Sequence, residues 1–273
     1  MRVITFNLNG IRSATRKGWL DWMATQEADL VCVQETRAQD KDLDASMRLL
    51  QSARGPMPGH FHFAVKPGYA GTGIYSARNP IAVHYGFGEP EFDSEGRYTE
   101  VDLGHLVVIS LYVPSGSTSE EKLQAKFRFM RRFSLHLANL RRKRRPLLIC
   151  ADWNVAHREI DLRNWRANQN HPGFLPEERA WIDSLINQHG MVDVFRRLEP
   201  DRAVYTWWSN RGAAFANDVG WRIDYQLATP DLAERATGWQ VQREPRFSDH
   251  APLIIDYALD PVPCERAHKA EAP

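Results

Sequence analysis

The sequence predicts an α/β fold in which strands form two packed sheets flanked by helices. Three observations carry that prediction. Short apolar β-like runs alternate with helical spacing from the first residues onward, turn signals divide a middle stretch into several short strands, and no internal repeat or low-complexity linker interrupts the chain before Asp260.

Val3-Ile4-Thr5-Phe6 reads as a strand, Trp19, Leu20, Trp22 and Met23 form the apolar face of a short helix, and Leu30-Val31-Cys32-Val33 starts a second strand. The chain thus opens on a βαβ unit. Residues 61–113, punctuated by Pro67-Gly68, Gly71-Thr72-Gly73 and Arg78-Asn79-Pro80, read as antiparallel sheet. A long helix follows. Ser119 can cap it, Glu120 and Glu121 suit its first turn, and Leu123, Phe127, Met130, Phe133, Leu137 and Leu140 recur at helical spacing. Its end, the basic run 141–145, reads as a solvated helix terminus rather than a DNA contact, because cations there complement the helix dipole. Leu147-Leu148-Ile149-Cys150 is another buried strand, followed by a helix around 180–186 and strands around 223–228 and 253–255. One domain is expected over residues 1–259, with a flexible tail over 260–273.

With 273 residues and 43% hydrophobic content, the chain is long enough for one large core. Lys and Arg number 35 against 34 Asp and Glu, a formal charge of +1 that argues against a non-specific DNA coater but leaves room for one basic cleft. Cysteines number three: Cys32 and Cys150 sit in apolar strand runs, Cys264 sits in the polar tail, and no C-x-x-C pair occurs. A reducing compartment and a cytoplasmic, nucleoid-associated location are expected. No signal-like opening and no bilayer-long apolar run are present, so a membrane is not an expected partner.

The polar residues of most chemical interest stand at the C-terminal ends of apolar strands, where an α/β sheet commonly places its site. They are Asn7 and Asn9, Glu35, Tyr112, Asp152 with Asn154, then Asp224 and Asp249-His250. A single carboxylate at a strand end is usually paired or capping. Several carboxylates and amides at one rim would repel one another unless a hard cation sat among them, and such oxygen ligands suit Mg²⁺ or Mn²⁺.

The segments Phe6-Asn7-Leu8-Asn9-Gly10, Val33-Gln34-Glu35-Thr36, Glu95-Gly96-Arg97, Tyr112-Val113-Pro114 and Asp152-Trp153-Asn154-Val155-Ala156-His157 are followed in order by three more. These are Gly173-Phe174-Leu175-Pro176-Glu177-Glu178-Arg179, Trp221-Arg222-Ile223-Asp224-Tyr225 and Ser248-Asp249-His250-Ala251-Pro252. Together they make the chain resemble the exonuclease III family of abasic endonucleases over nearly its whole length. The resemblance implies a four-layered α/β sandwich, with two mixed sheets face to face and helices outside. It also implies Mg²⁺-dependent cleavage 5′ to abasic sites and 3′-end trimming on double-stranded DNA by a monomer with no obligate protein partner.

Carried over residue by residue, the resemblance makes Glu35 the principal metal carboxylate, with Asn9 and Asp249 holding the metal or its waters. Asp152 would orient or deprotonate the attacking water and Asn154 would steady it. Both also count among the metal candidates, as does His250. Asp224 would orient His250 towards a phosphate oxygen, and Tyr112 would act beside the scissile phosphate as a hydrogen-bond donor or, with a lowered pKa, a phenolate. Asn7, Arg97, Ser115 and Arg211 are candidate DNA contacts, Arg211 as a wedge. Trp207 and Trp221 are either walls of a pocket for a flipped abasic sugar or plain core.

Ser115, Ala151 and Trp153 depart from the family pattern, and residues 170–172 and 211–214 lie in loops where its members differ. A phosphatase or phosphodiesterase acting on other esters would share the metal site but lack the 173–179 and 221–225 blocks. An inactive DNA-binding relative would have lost acidic residues, yet Glu35, Asp152, Asp224 and Asp249 all stand.

Overall fold

The computed structural model describes residues 1–259, so Cys264 and the expected tail lie outside the described residues. In chain order the strands are β1 (Arg2–Asn7), β2 (Leu30–Gln34), β3 (Leu49–Ser52), β4 (Gly55–His62), β5 (Thr72–Ser76), β6 (Ala82–Tyr85), β7 (Tyr98–Asp102) and β8 (Val107–Tyr112). Then come β9 (Leu147–Asp152), β10 (Val192–Asp193), β11 (Trp207–Trp208), β12 (Gly220–Trp221), β13 (Asp224–Ala228), β14 (Ala236–Val241) and β15 (Leu253–Tyr257). A seven-stranded sheet has the order β14-β15-β1-β2-β5-β4-β3, a six-stranded sheet the order β10-β13-β9-β8-β7-β6, and β11 pairs with β12.

Strand periodicity sorts the side chains into layers, because successive residues point to opposite faces. Val3, Leu30 and Cys32 face inward and meet Val108, Leu148 and Cys150 of the other sheet. Their neighbours Ile4, Val31 and Val33 face outward against Ile11, Trp19 and Met23 of the helices Ile11–Arg16 and Trp19–Ala24. On the far side, Ile109, Leu111 and Ile149 meet Phe129, Phe133 and Leu137 of the helix Glu120–Arg142, together with Trp181 and Leu185 of Pro176–Asn187. The result is helix, sheet, sheet, helix, as the sequence predicts. Ser119 caps the long helix by accepting from the Lys122 N–H. At its other end, Arg145 pairs with Asp102 and Arg141 donates to the His189 carbonyl, so part of the basic run is structural.

The middle stretch is antiparallel as expected, but it is divided between the two sheets. Of its strands, β4 and β5 join the first sheet, and β6, β7 and β8 the second. Strands β3 and β14 carry little sequence signal. The first has four residues, and the second carries a register shift between Ala236 and Gly238 on a half-exposed edge.

The strand ends also need correction. β1, β2, β8 and β9 do end at the site, but Asp224 begins β13, and Asp249-His250 precede β15. Both of these strands run antiparallel to their neighbours β9 and β1, so their N-terminal ends reach the same rim. Register completes the arrangement: Asp152 sits opposite Tyr112 on one side and Asp224 on the other. No helix among the described residues is long and apolar enough to cross a membrane.

Candidate active site

Beyond β1 and β2 the backbones stay paired: Leu8 donates to the Gln34 carbonyl at 2.9 Å, and Gly10 to that of Glu35 at 2.8 Å. Within these turns Asn9 and Glu35 have φ of 45° and 50°, and Asn154, just past β9, has 52°. Side chains other than glycine seldom adopt this left-handed region, and such residues concentrate at functional sites.

Asn7 is the hinge of the polar cluster. Its amide donates to Glu35 Oε1 at 2.9 Å and to Asp152 Oδ2 at 2.8 Å, while its oxygen accepts from the Asn9 N–H at 2.9 Å. Fully buried and with these groups engaged, Asn7 bridges two carboxylates. Asp152 also accepts from the Asn154 N–H at 2.9 Å and from its amide at 3.2 Å. His250 faces Asp224 through Nδ1, at 2.9 and 3.2 Å from the two carboxylate oxygens, and its Nε2 lies 3.9 Å from Asp152 Oδ2. Asn9 donates to Asp249 at 2.7 Å, and Trp207 Nε1 donates to the other Asp249 oxygen at 3.1 Å.

Burial pushes the Asp152 carboxyl up, the charge on His250 pulls it back, and Asp224 and Glu35 push it up again, leaving it at about 7. Burial alone would lower the His250 imidazole, but its contact with Asp224 and the nearby Asp152 and Asp249 raise it to about 10. Burial raises the Asp249 carboxyl, yet His250, Asn9 and Trp207 outweigh it and hold it below the usual carboxylate range. Tyr112 is pushed well above a normal phenol by burial and by Glu35, with Arg97 opposing, a direction that favours the hydrogen-bond donor role over the phenolate.

Ligand atoms of Glu35, Asp152 and His250 all lie within 4.8 Å of one another and can hold a metal ion. The two carboxylates are hard oxygen donors converging at one point, both held by the Asn7 amide, a donor set that suits a hard cation. A charged His250 suits an anion better than a cation. Asp249 is not in that group of three and turns instead to Asn9 and Trp207.

These residues open on a cavity of about 270 Å³ that Tyr112, Ser115, Gly173, Trp207 and Trp221 help to line. Trp207 and Trp221 sit opposite each other across β11 and β12, edge to face at 6.2 Å, and both are half-buried. Gly173 is required beside them: its φ is 97°, and a Cβ there would lie 3.1 Å from the Trp221 ring. Arg97 is buried behind Tyr112, its guanidinium 4.7 Å from that ring and donating to the Tyr112 carbonyl at 3.1 Å. Its side chain therefore buttresses Tyr112 from a neighbouring cleft. Arg211 is exposed on the loop between β11 and β12, outside the cavity lining.

Sequence reasoning missed Arg37, which lines the cavity and donates to Glu35 at 2.7 Å. It follows Glu35 by two residues and carried no pattern of its own. A buried layer behind Trp221 was also missed. Asp161 accepts from Arg222 Nε at 2.7 Å and from Arg196 Nε at 3.2 Å, and Arg222 reaches Asp193 at 2.8 Å. Burial would raise the Asp161 carboxyl, but the two guanidinium groups hold it at about 2. Against an unfolded value near 3.9, that shift corresponds to about 3 kcal/mol of stability. This contribution is present above about pH 4 and lost as pH falls towards 2. We expect Asp161→Asn to lower unfolding free energy at neutral pH by about 3 kcal/mol, since it leaves Arg222 buried and underpaired. Urea melts of the two proteins at pH 7 and pH 3 check both points: the gap should narrow in acid.

Two facing sheets whose common rim carries buried carboxylates, a carboxylate–imidazole pair and an open polar cavity define an α/β protein built for acid–base and metal-assisted chemistry. The comparisons with known proteins agree. The chain belongs to the Endonuclease/Exonuclease/phosphatase family, whose model matches residues 4–250. It is 34% identical over 261 residues to an exodeoxyribonuclease of Bacillus subtilis, covering 93% of this chain and 98% of that one. It is 33% identical over 263 residues to the DNA repair nuclease APEX1 of Danio rerio, covering 95% and 83%. An AP endonuclease from Archaeoglobus fulgidus superposes with a TM-score of 0.84 at 29% identity, covering 95% of this chain and all of that one. Within the family the chain is a nuclease-type hydrolase.

Proposed function

We propose that this protein is a Mg²⁺-dependent DNA-repair phosphodiesterase that cuts the backbone 5′ to abasic sites and trims 3′ ends on double-stranded DNA. The observation that carries the reading is the convergence of Glu35 and Asp152, bridged by Asn7, with the Asp224–His250 pair at a cavity walled by two tryptophans. Its likeness to an exodeoxyribonuclease and to an AP endonuclease supports the substrate.

A phosphodiester anion repels nucleophiles, so its charge must be neutralised and a water activated. Glu35 and Asp152 would hold the metal, with Asn9 and Asp249 placed to hold its waters. Bound there, Mg²⁺ supplies charge neutralisation at phosphate. Asp152, anchored by Asn7 and Asn154, accepts the proton of the attacking water as the water oxygen bonds to phosphorus. The bond from phosphorus to the 3′ oxygen breaks, and that oxygen takes a proton from solvent to leave as a 3′ hydroxyl. His250, held by Asp224, donates to a non-bridging phosphate oxygen as negative charge grows. Tyr112 donates as a phenol from the β8 side, across Asp152 from the Asp224–His250 pair. The tryptophan slot excludes water and fits a sugar that lacks its base.

Purified protein assayed on duplexes bearing an abasic analogue, a recessed 3′ end or a 3′ phosphate tests this reading. Cleavage confined to non-DNA phosphoesters would overturn it. Glu35→Ala is expected to shift the half-saturating Mg²⁺ concentration upward by about 10-fold or more, with Tm nearly unchanged. Normal cutting by the variant at limiting Mg²⁺ would remove Glu35 from the metal site.

A further inference from the structure

Lys126 and Glu178 are both 0% exposed and form an ion pair in the interior, between the helices Glu120–Arg142 and Pro176–Asn187. Taking two charges out of water is costly, and an apolar pair of similar volume often holds a core as well or better. Packing alone does not account for this pair.

Its remaining hydrogen bonds do. Lys126 Nζ donates to the Asn154 carbonyl at 2.8 Å and to the Ser115 carbonyl at 3.4 Å. The second oxygen of Glu178 accepts from the backbone N–H groups of Gly173 at 2.6 Å and Leu175 at 2.9 Å. Ser115, Asn154 and Gly173 belong to three separate loops, and all three line the catalytic cavity. Each loop has a left-handed residue at this point, with φ of 70° at Gly116, 52° at Asn154 and 97° at Gly173. The loops also close tightly: a Cβ on Gly116 would lie 3.1 Å from Lys126 Cδ, just as one on Gly173 would meet Trp221. From Asn154 the chain of contacts continues to both oxygens of Asp152.

We propose that the Lys126–Glu178 pair is a positioning clamp that sets the spacing between the Asp152–Asn154 water-activating end of the cavity and its Gly173–Trp221 wall. The inference rests on the phosphodiesterase reading above for its kinetic consequence. Neither residue touches substrate. Their removal should therefore misplace reacting groups by a fraction of an ångström to an ångström, an error that lowers turnover more than affinity.

Lys126→Met/Glu178→Gln tests this, because the glutamine oxygen still accepts from Gly173 and Leu175 while the charges and the Lys126 donors are gone. The expected result is a cooperative thermal transition close to that of wild type, with kcat on an abasic-analogue duplex lowered about 10- to 100-fold and KM nearly unchanged. Amide hydrogen exchange should quicken in residues 113–118, 152–156 and 171–176 and not elsewhere. A folded double variant with wild-type kcat, or one that changes KM alone, overturns the proposal. If the double variant does not fold, Glu178→Gln alone is read in the same way. Failure of both to fold makes the pair a folding requirement and overturns the clamp as well. Wild-type protein that leaves the abasic duplex intact would sink the phosphodiesterase reading by itself. The exchange pattern, which needs no substrate, would then decide the clamp: unchanged protection in the three segments rejects it, and loss confined to them supports it.

Discussion

Asp152→Asn should lower kcat on an abasic duplex by about 10⁴-fold while leaving the Kd for that duplex nearly unchanged. Asparagine keeps the shape of a side chain that is almost fully buried at the end of β9. One oxygen can still accept from the Asn154 N–H, as Asp152 Oδ1 does at 2.9 Å. The amide nitrogen, however, takes the place of the oxygen that accepts from Asn7 and Asn154, and it cannot accept a proton from water. With Mg²⁺ held at saturation, so that a weakened metal site does not enter the rate, the loss falls on the chemical step. Single-turnover kinetics together with a binding titration separate the two quantities. A variant that bound weakly but, once saturated, cut at the normal rate would make Asp152 a substrate-positioning group.

The second large effect concerns the imidazole. His250→Ala should cost about 10²- to 10³-fold in kcat, because it removes a preorganised charged donor aimed at developing negative charge. Asp224→Ala should cost a large part of the same factor. In the buried site its carboxylate touches the imidazole at 2.9 and 3.2 Å and keeps it charged, so the aspartate acts mainly through the histidine. The double variant should then resemble the His250 single variant. Multiplying losses in the double-mutant cycle would show instead that the two groups work independently.

Much of this arrangement was legible in the sequence because it rests on local signals. Continuous apolar runs located β1, β2 and β9, the helical spacing from Leu123 to Leu140 located the long helix, and the order of the motif blocks singled out the residues gathered at the rim. What escaped depends on tertiary contacts. Asn7 looks like any polar residue at a strand end, and only the facing of the two sheets reveals that its amide bridges Glu35 and Asp152. Arg97 reads as a free cation until its burial beneath Tyr112 is seen. Lys126 shares the buried helix face with Met130, Phe133 and Leu137, where a lysine gives no sign of what balances its charge, and its partner Glu178 is fifty-two residues away in the chain. The assignment of the middle strands to two different sheets was likewise hidden, since antiparallel neighbours carry the same alternation whichever sheet they join.

On the proposed function, this rim hydrolyses a DNA phosphodiester with the help of a divalent cation. The most direct measurement is single-turnover cleavage of a duplex carrying one abasic analogue, run with Mg²⁺ and again with EDTA, with the products resolved by length and by end group. The account predicts one nick 5′ to the abasic position that leaves a 3′ hydroxyl, present with Mg²⁺ and absent with EDTA. An uncut duplex in Mg²⁺, or equal cutting in EDTA, would contradict it.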